Sequence, residues 1–518
     1  MNKHLINFLN LFKPLFSLGF RVSNRNTDVR NPLPKCKNDL LLTPAHKLAK
    51  KIRNKEVSCE ELVSLFIDRI KEIQPLVNCV VQDRFDEALK EAKEFDRILA
   101  LDEIPDEYNE QNCPFLGVPF SCKESLWVKG MMNTCGLVNR KEFRAPEDAV
   151  VVQYMKKAGG ILTCITNTSE CCLWIESTNY VTGTTRNPYN LSRIVGGSSG
   201  GEACIVSSCG AVWGIGSDIG GSIRIPSFFN GVYGHKPTRN TISIDFQYPN
   251  FSGIQLDLLS NGPICRYASD LKFMFKIFCG RDYKNFEQNF ERVLDLKKLK
   301  FFYIKDLQGN FLVNLPSEDL KNSQNKAIKF LEGNLGVQVN ELKLKNLHLC
   351  FDMWSSMMNN GTEDAKWLAS GLNDETISPF KELFRSLFGL QDKHTLPTLI
   401  QLASGLTKSK DPLKSLELAE ELRQEIKDVI GDDGIILFPS FPTVAPYHNS
   451  TAIIHSFDFL YFAVLNMLGF PVTQIPLGLS EDGLPTGIQL VANHNMDHLT
   501  IRLAEYFESN LVGWIPPF

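Results

Sequence analysis

Two runs of glycine and hydroxyl side chains, Gly196-Gly197-Ser198-Ser199-Gly200-Gly201 and Ser217-Asp218-Ile219-Gly220-Gly221-Ser222-Ile223-Arg224, are the parts of this chain best suited to chemistry. Glycine loses more backbone entropy on folding than any other residue and brings no packing surface, so a cluster of it marks a special backbone conformation or close contact with a ligand. Here the glycines bracket serines, whose hydroxyls form acyl intermediates once a base takes the proton. A third run, Gly117-Val118-Pro119-Phe120-Ser121-Cys122-Lys123-Glu124, ends a short apolar stretch on a lysine. Lys123 can be that base only while neutral, a state favoured by burial among side chains such as Val118, Phe120 and Cys122. On a strand, Glu124 faces the opposite side. Taken alone, Lys123 would read better as a surface lysine at a strand end.

The backbone N–H groups of Ile219, Gly220, Gly221 and Ser222 can converge on one oxygen because the two glycines lack Cβ atoms. An oxyanion donor of this kind is worth about 3 to 4 kcal/mol of transition-state stabilisation. Asp218 and Arg224, with Ser199, read either as the support that fixes this loop or as a structural ion pair and its neighbour. A competing assignment exists, because Gly197-Ser198-Ser199-Gly200-Gly201 also satisfies G-x-S-x-G. It would make Ser199 the nucleophile and would need an acid and a histidine from further along, with His448, His455, His494 and His498 as candidates. That reading leaves Lys123 and the whole Asp218 to Arg224 string without a role. His235, between Gly234 and Lys236-Pro237, reads as a hydrogen-bonded structural residue. No H-E-x-x-H, Walker A loop or G-x-G-x-x-G occurs, so neither a cofactor nor a metal is implied.

The three runs together resemble the amidase signature family, in the order Lys123, Ser198, Ser222, with the two serines 24 positions apart. Supporting strings are Glu176-Ser177 through Asn187-Pro188-Tyr189, Phe228-Phe229-Asn230-Gly231, Pro439 to Pro446, and Gly483-Leu484-Pro485 with Gly487-Ile488-Gln489. The resemblance runs from about Leu41 to the C-terminus. It implies a Ser222 acyl-ester nucleophile, a Ser198 relay, a Lys123 base and a cis peptide at Gly197-Ser198. It also implies a single α/β domain, a large mixed β-sheet covered by helices on both faces, that cleaves carboxylic amides through an acyl-enzyme. The lipid-amide branch of the family points to long-chain fatty-acid amides, with Cys172 and Leu173 bordering the acyl pocket. Two alternatives stand beside it: a small-molecule or glutamine amidase that serves as a transamidation subunit, and a catalytically inactive lipid-binding protein at a membrane.

The elements that must position these residues follow from periodicity. Of 518 residues, 43% are hydrophobic and 22% charged, enough for a large core and inconsistent with disorder. A net charge of −4 without a long basic block excludes a nucleic-acid footprint. The 14 cysteines, scattered from Cys36 to Cys350 without C-x-x-C spacing, read as reduced, mostly buried thiols of an intracellular protein. Helices are predicted within Ala45 to Ile73, over Asp148 to Ala158 and over Leu416 to Ile430, and strands at Gly160 to Thr163 and Leu299 to Ile304.

Residues 1–31 hold Leu5, Phe8, Leu9, Phe12, Leu15 and Phe16 at helical spacing, interrupted by Lys13-Pro14 and too short to span a bilayer. They read as an interfacial anchor, with a mitochondrial presequence and a helix packed on the body as alternatives. Residues 32–40 read as a linker and 41–518 as the catalytic domain. Ser378-Pro379 starts a further helix with Phe380, Leu383, Phe384, Leu387 and Phe388 on one face, read as core or as a lid over the acyl pocket in which Phe384 meets substrate. The partners this implies are a small lipid amide and a membrane surface; a homodimer stays open.

Overall fold

An eleven-stranded sheet runs through the chain in the spatial order β1-β3-β2-β6-β8-β7-β12-β13-β11-β9-β10. In chain order its strands are β1 (Val80–Asp83), β2 (Pro119–Lys123), β3 (Ile161–Thr166), β6 (Trp213–Asp218), β7 (Tyr233–Lys236), β8 (Ser260–Cys265), β9 (Lys300–Tyr303), β10 (Val339–Glu341), β11 (Gly434–Pro439), β12 (Val472–Leu479) and β13 (Pro485–Ala492). A separate ribbon pairs β4 (Thr178–Asn179) with β5 (Gly183–Thr184). The computed structural model describes residues 3–359, 378–386, 394–399 and 411–518, with side chains from Lys13 onward except at 379, 380 and 386.

The sheet is mixed, as expected. Strands β3, β2 and β6 form a parallel block, and so do β10, β9 and β11; the pairings between β6 and β11 are antiparallel. Strands of the first block are buried on both faces, so Pro119–Lys123, Ile161–Thr166 and Trp213–Asp218 contain no exposed residue. Polar residues inside such strands must find partners within the protein. Parallel order also brings the carboxyl ends of β2, β3 and β6 to one edge, where loops of an open α/β sheet bind ligands. Lys123 ends β2, Thr166 ends β3 and Asp218 ends β6.

The predicted helices are found at Ala45–Arg53, Cys59–Val77, Val150–Lys157 and Pro412–Ile430, and the predicted strands at β3 and β9. Local chemistry sets several ends. The Ser58 hydroxyl accepts from the Glu61 N–H at 3.0 Å, and the second of these helices stops where Asn78 turns left-handed. The helix Gly200–Ser207 differs from these amphipathic ones: every residue is buried, because it lies over the parallel block. The N-terminal helix spans Lys3–Ser23 and runs through Pro14 rather than breaking there.

One contact ties the central helix to the sheet. The Glu202 carboxylate accepts from Thr166 Oγ1 of β3 at 2.5 Å and from the Ser121 hydroxyl of β2. It occupies the place of a side chain on β6, since a Cβ at Gly214 would lie 1.7 Å from Glu202 Oε1. Gly214→Ala should therefore destabilise the protein by about 1 to 3 kcal/mol through overpacking. Gly333→Ala, exposed in the last turn of the helix Glu318–Leu335 with no atom near the added carbon, should stabilise it by up to about 1 kcal/mol. Urea titration of both variants checks the opposite signs.

Candidate active site

Lys123 is 0% exposed at the end of β2. Its Nζ donates to Ser198 Oγ at 2.7 Å and to Ser217 Oγ at 2.9 Å. Ser198 sits in the turn before the helix Gly200–Ser207, and its peptide bond with Gly197 is cis. This turn lies so close to the segment after β3 that no side chain fits: a Cβ at Gly197 would stand 2.4 Å from the Trp174 carbonyl, and one at Gly201 2.4 Å from the Asn167 nitrogen. Close backbone approach thus accounts for these glycines. Thr168 Oγ1 donates to the Ser198 carbonyl at 2.9 Å, and Ser177 Oγ donates to the Gly196 carbonyl at 2.9 Å.

The second run turns directly off β6. Asp218 holds it: Oδ1 accepts from the Gly221 N–H at 2.7 Å, and Oδ2 from the Ile223 N–H at 3.0 Å and the Arg224 Nε at 3.1 Å. Arg224 continues to Gln489 Oε1 at 2.7 Å and the Phe462 carbonyl at 3.1 Å, and Asn466 bonds both members of the ion pair. Burial pushes the Asp218 carboxyl up, but the Arg224 guanidinium and its hydrogen bonds outweigh that and bring it to about 2. Asp218 and Arg224 are therefore an ion pair and a loop support at once.

The expected set of oxyanion donors needs one correction. The N–H of Gly221 is turned back to Asp218, so it does not face the open side. Among the described residues, the N–H groups of Ile219, Gly220 and Ser222 make no hydrogen bond. Ser222 is anchored through its carbonyl, which accepts from the Ser199 N–H at 3.1 Å, and this bond ties the two serine runs together.

Ser222 lines an apolar cavity with Cys172, Leu173, Ile219, Trp354 and Phe459. Cys172 and Leu173 border it as expected; Phe384 does not, and is 62% exposed on the helix Pro379–Ser386. The side chain of Phe380 and all of Leu387 and Phe388 lie outside the described residues. Trp354 and Met358 come from the helix Cys350–Asn359, one turn apart on a common face. Sequence reasoning missed them because nothing in that helix distinguishes cavity wall from core. It also missed Ser217, whose hydroxyl differs from Ser198 only in position.

The competing assignment fails on geometry. Ser199 is fully buried and its Oγ donates to the Ser217 carbonyl at 3.2 Å. None of its four candidate histidines is near: His448 and His494 bond backbone carbonyls of Leu191 and Leu468, His455 bonds Asp458, and the His498 ring packs on Phe290. His235 is structural, held between Thr473 Oγ1 at 2.9 Å and Asp497 Oδ1 at 3.2 Å. Two buried carboxyls flank Lys123 in sequence or space. Burial pushes Glu124 and Glu202 up to about 7, against the hydrogen bonds each accepts. Glu124 receives the N–H groups of Thr134 and Cys135 and so faces away from the serines.

Residues 61–501 match the family model described as Amidase. The chain belongs to the amidase signature family. It is an amide hydrolase. This amidase is 41% identical to fatty-acid amide hydrolase 2-B of Danio rerio over 512 residues, covering 98% of this chain and 97% of the relative. It is 42% identical to fatty-acid amide hydrolase 2 of Homo sapiens over 486 residues, covering 92% and 91%. Its fold matches a solved fatty acid amide hydrolase with a TM-score of 0.75 at 22% identity, covering 97% and 95%.

The buried pair behind the amidase loop sets a stability test. Asp218→Asn leaves Arg224 buried without its counter-charge and should cost about 3 to 5 kcal/mol, much of which Asp218→Asn with Arg224→Met should recover. Because the folded carboxyl lies at about 2, below the ordinary 3.8, the wild-type advantage is whole above pH 3.8 and is lost as pH falls through 2. Denaturant midpoints at pH 7 and pH 2 read both effects.

Proposed function

We propose that the protein hydrolyses long-chain fatty-acid amides through Lys123, Ser198 and Ser222. The observation that carries this reading is a fully buried amine and hydroxyl, 2.7 Å apart, behind an apolar cavity whose wall includes Ser222. Neutral Lys123 takes the Ser198 proton as Ser198 takes that of Ser222, whose oxygen bonds to the carbonyl carbon. The oxygen's developing charge meets the N–H groups of Ile219, Gly220 and Ser222. Collapse breaks the C–N bond, and the proton returns through Ser198 to the leaving amine. Water then repeats the attack on the acyl ester.

The cavity argues for an acyl chain. Its lining is chiefly apolar, and no charged side chain lines it among the described residues. Glutamine would have to leave an ammonium and a carboxylate unpaired there, at high cost. The names of the curated relatives support the same substrate class. The contact between Lys123 and Ser198 argues against an inactive lipid binder.

A membrane surface as the source of substrate is part of the proposal. The helix Lys3–Ser23 exposes Leu15, Leu18 and Val22, and Phe384 is exposed on a second helix. Among the described residues no helix is long and apolar enough to cross a bilayer. An amphipathic helix of this kind lies in the interface and holds a protein reversibly.

Four experiments test the reading. A fluorophosphonate should label Ser222, and Ser222→Ala should abolish labelling and turnover; label on Ser199 would overturn the assignment. Lys123→Ala should lower turnover by several orders of magnitude, and Lys123→Arg should not restore it, since guanidinium does not deprotonate in a protein. Each added acyl methylene should raise kcat/KM about fourfold until the cavity is full, because burying one contributes about 0.8 kcal/mol. A preference for acetamide would defeat the lipid assignment. Separately, deleting residues 1–20 should weaken sedimentation with lipid vesicles and leave hydrolysis of a soluble amide unchanged, and Phe384→Glu should weaken it further. Wild-type protein that fails to sediment at low salt would remove the membrane from the proposal.

A further inference from the structure

Cys172 and Cys36 are the two cysteines that are not fully buried, and Cys172 lies on the cavity wall with Gly197 and Ser222. Its backbone and that of Cys171 are left-handed, at φ +55° and +53°, as is Cys135 at φ +51°. Side chains other than glycine enter this region rarely and stay only where the surroundings impose it. Two contacts do so here. The Glu124 carboxylate accepts the Cys135 N–H at 2.8 Å, and the Cys135 carbonyl accepts the Cys171 N–H at 2.8 Å. The two loops are thereby locked together, and the Cys135 and Cys172 sulfurs face each other at 3.5 Å.

The pair is wired to the relay serine. The Thr168 hydroxyl lies 3.4 Å from Cys172 Sγ and 2.9 Å from the Ser198 carbonyl. Burial alone would push the Cys172 thiol up. Hydrogen bonding with Cys135, Lys123 when protonated, and hydrogen bonding with Thr168 and Ser198 overcome that and hold it well below the usual thiol range, while burial and Cys172 push Cys135 well above it. A reactive thiol of this kind is partly accessible and sits in polar or positive surroundings, with a second thiol in reach.

We propose that Cys172 and Cys135 are a peroxide-reactive pair on the wall of the acyl cavity, that the oxidant is a fatty-acyl hydroperoxide, and that the disulfide slows hydrolysis. The Cys172 thiolate attacks the terminal peroxide oxygen; an S–O bond forms, the O–O bond breaks, and the alkoxide leaves and takes a proton. Cys135 then attacks the sulfenic sulfur, an S–S bond forms, and water departs. In sum, two thiols and one hydroperoxide give one disulfide, one alcohol and one water, with two electrons passing from sulfur to oxygen. Closing the sulfurs from 3.5 Å to about 2 Å draws Cys172 away from Thr168 and the cavity, and so disturbs the group that orients Ser198. The choice of an acyl hydroperoxide rests on the fatty-acid amide reading; the thiol chemistry does not.

The test treats the full chain with hydrogen peroxide or with linoleic acid hydroperoxide, alkylates it and maps unreduced peptides by mass. The expected result is a linked Cys135–Cys172 peptide, formed at roughly tenfold lower concentration of the acyl hydroperoxide because its chain is buried in the cavity. Hydrolysis of a short soluble amide should fall several-fold in step with the linked peptide and return with dithiothreitol. Cys135→Ser should keep the untreated activity, yield no linked peptide and leave a Cys172 sulfenic acid that dimedone traps. Absence of the linked peptide at peroxide levels that oxidise Cys36, or full linkage with unchanged hydrolysis, would overturn the proposal. Equal potency of the two peroxides would overturn the acyl hydroperoxide as oxidant, whatever amide the enzyme prefers.

Discussion

A lysine with no exposed surface, held by two serine hydroxyls at the end of a buried parallel strand, is the constraint on which the rest of this structure depends. Burying an amine costs heavily unless it is hydrogen-bonded, so the fold must deliver oxygen atoms to one point inside its core. Ser198, in the turn before the helix Gly200–Ser207, and Ser217, near the end of β6, do this. The glycine-rich turns beside them, one before the helix Gly200–Ser207 and one after β6, are too tightly packed for side chains larger than hydrogen at several positions. The glycines are consequences of the buried lysine as much as of the chemistry.

Two carboxyls then hold the framework around the lysine. Glu202 pins its helix across β2 and β3, and Glu124 reaches the other way to fix the Thr134–Cys135 turn. Both sit in surroundings that raise their proton affinity, so near neutral pH each is poised between a charged and an uncharged form. Charge of this kind, beside a base that must be neutral to work, is tolerable because both oxygens of each carboxylate accept a hydrogen bond of their own. Structural polarity is kept out of the reaction by being fully bonded elsewhere.

Much of this was legible in the sequence. The Asp218–Arg224 partnership and the strand that carries the lysine needed only local patterns, whereas the set Lys123, Ser198 and Ser222 came through the family resemblance, against a local reading of Lys123 as a surface lysine. The Cys172-Leu173 border of the cavity was also expected. What escaped depends on long-range packing. Asn466 and Gln489 complete the Arg224 network from the far half of the chain, and Trp354 and Phe459 reach the cavity from helices with ordinary apolar faces. Gly221 was expected to donate toward substrate, and its N–H instead serves Asp218, a direction that no residue type reveals. Phe384 shows the same limit in reverse, since an aromatic stripe predicts a helix and not what the stripe meets.

The division of labour inside the loop from Ser217 to Arg224 explains why so much buried charge surrounds three N–H groups. Oxyanion stabilisation gains most when the donors are already in place, because no reorganisation remains to be done as charge develops. A glycine-rich turn left to itself has the opposite property, being the least ordered backbone available. Asp218 resolves this by accepting from Gly221, Ile223 and Arg224 at once; Asn466 donates to the carboxylate as well, and Gln489 holds Arg224 in turn. Glycine supplies the shape, and the ion pair removes the freedom that came with it.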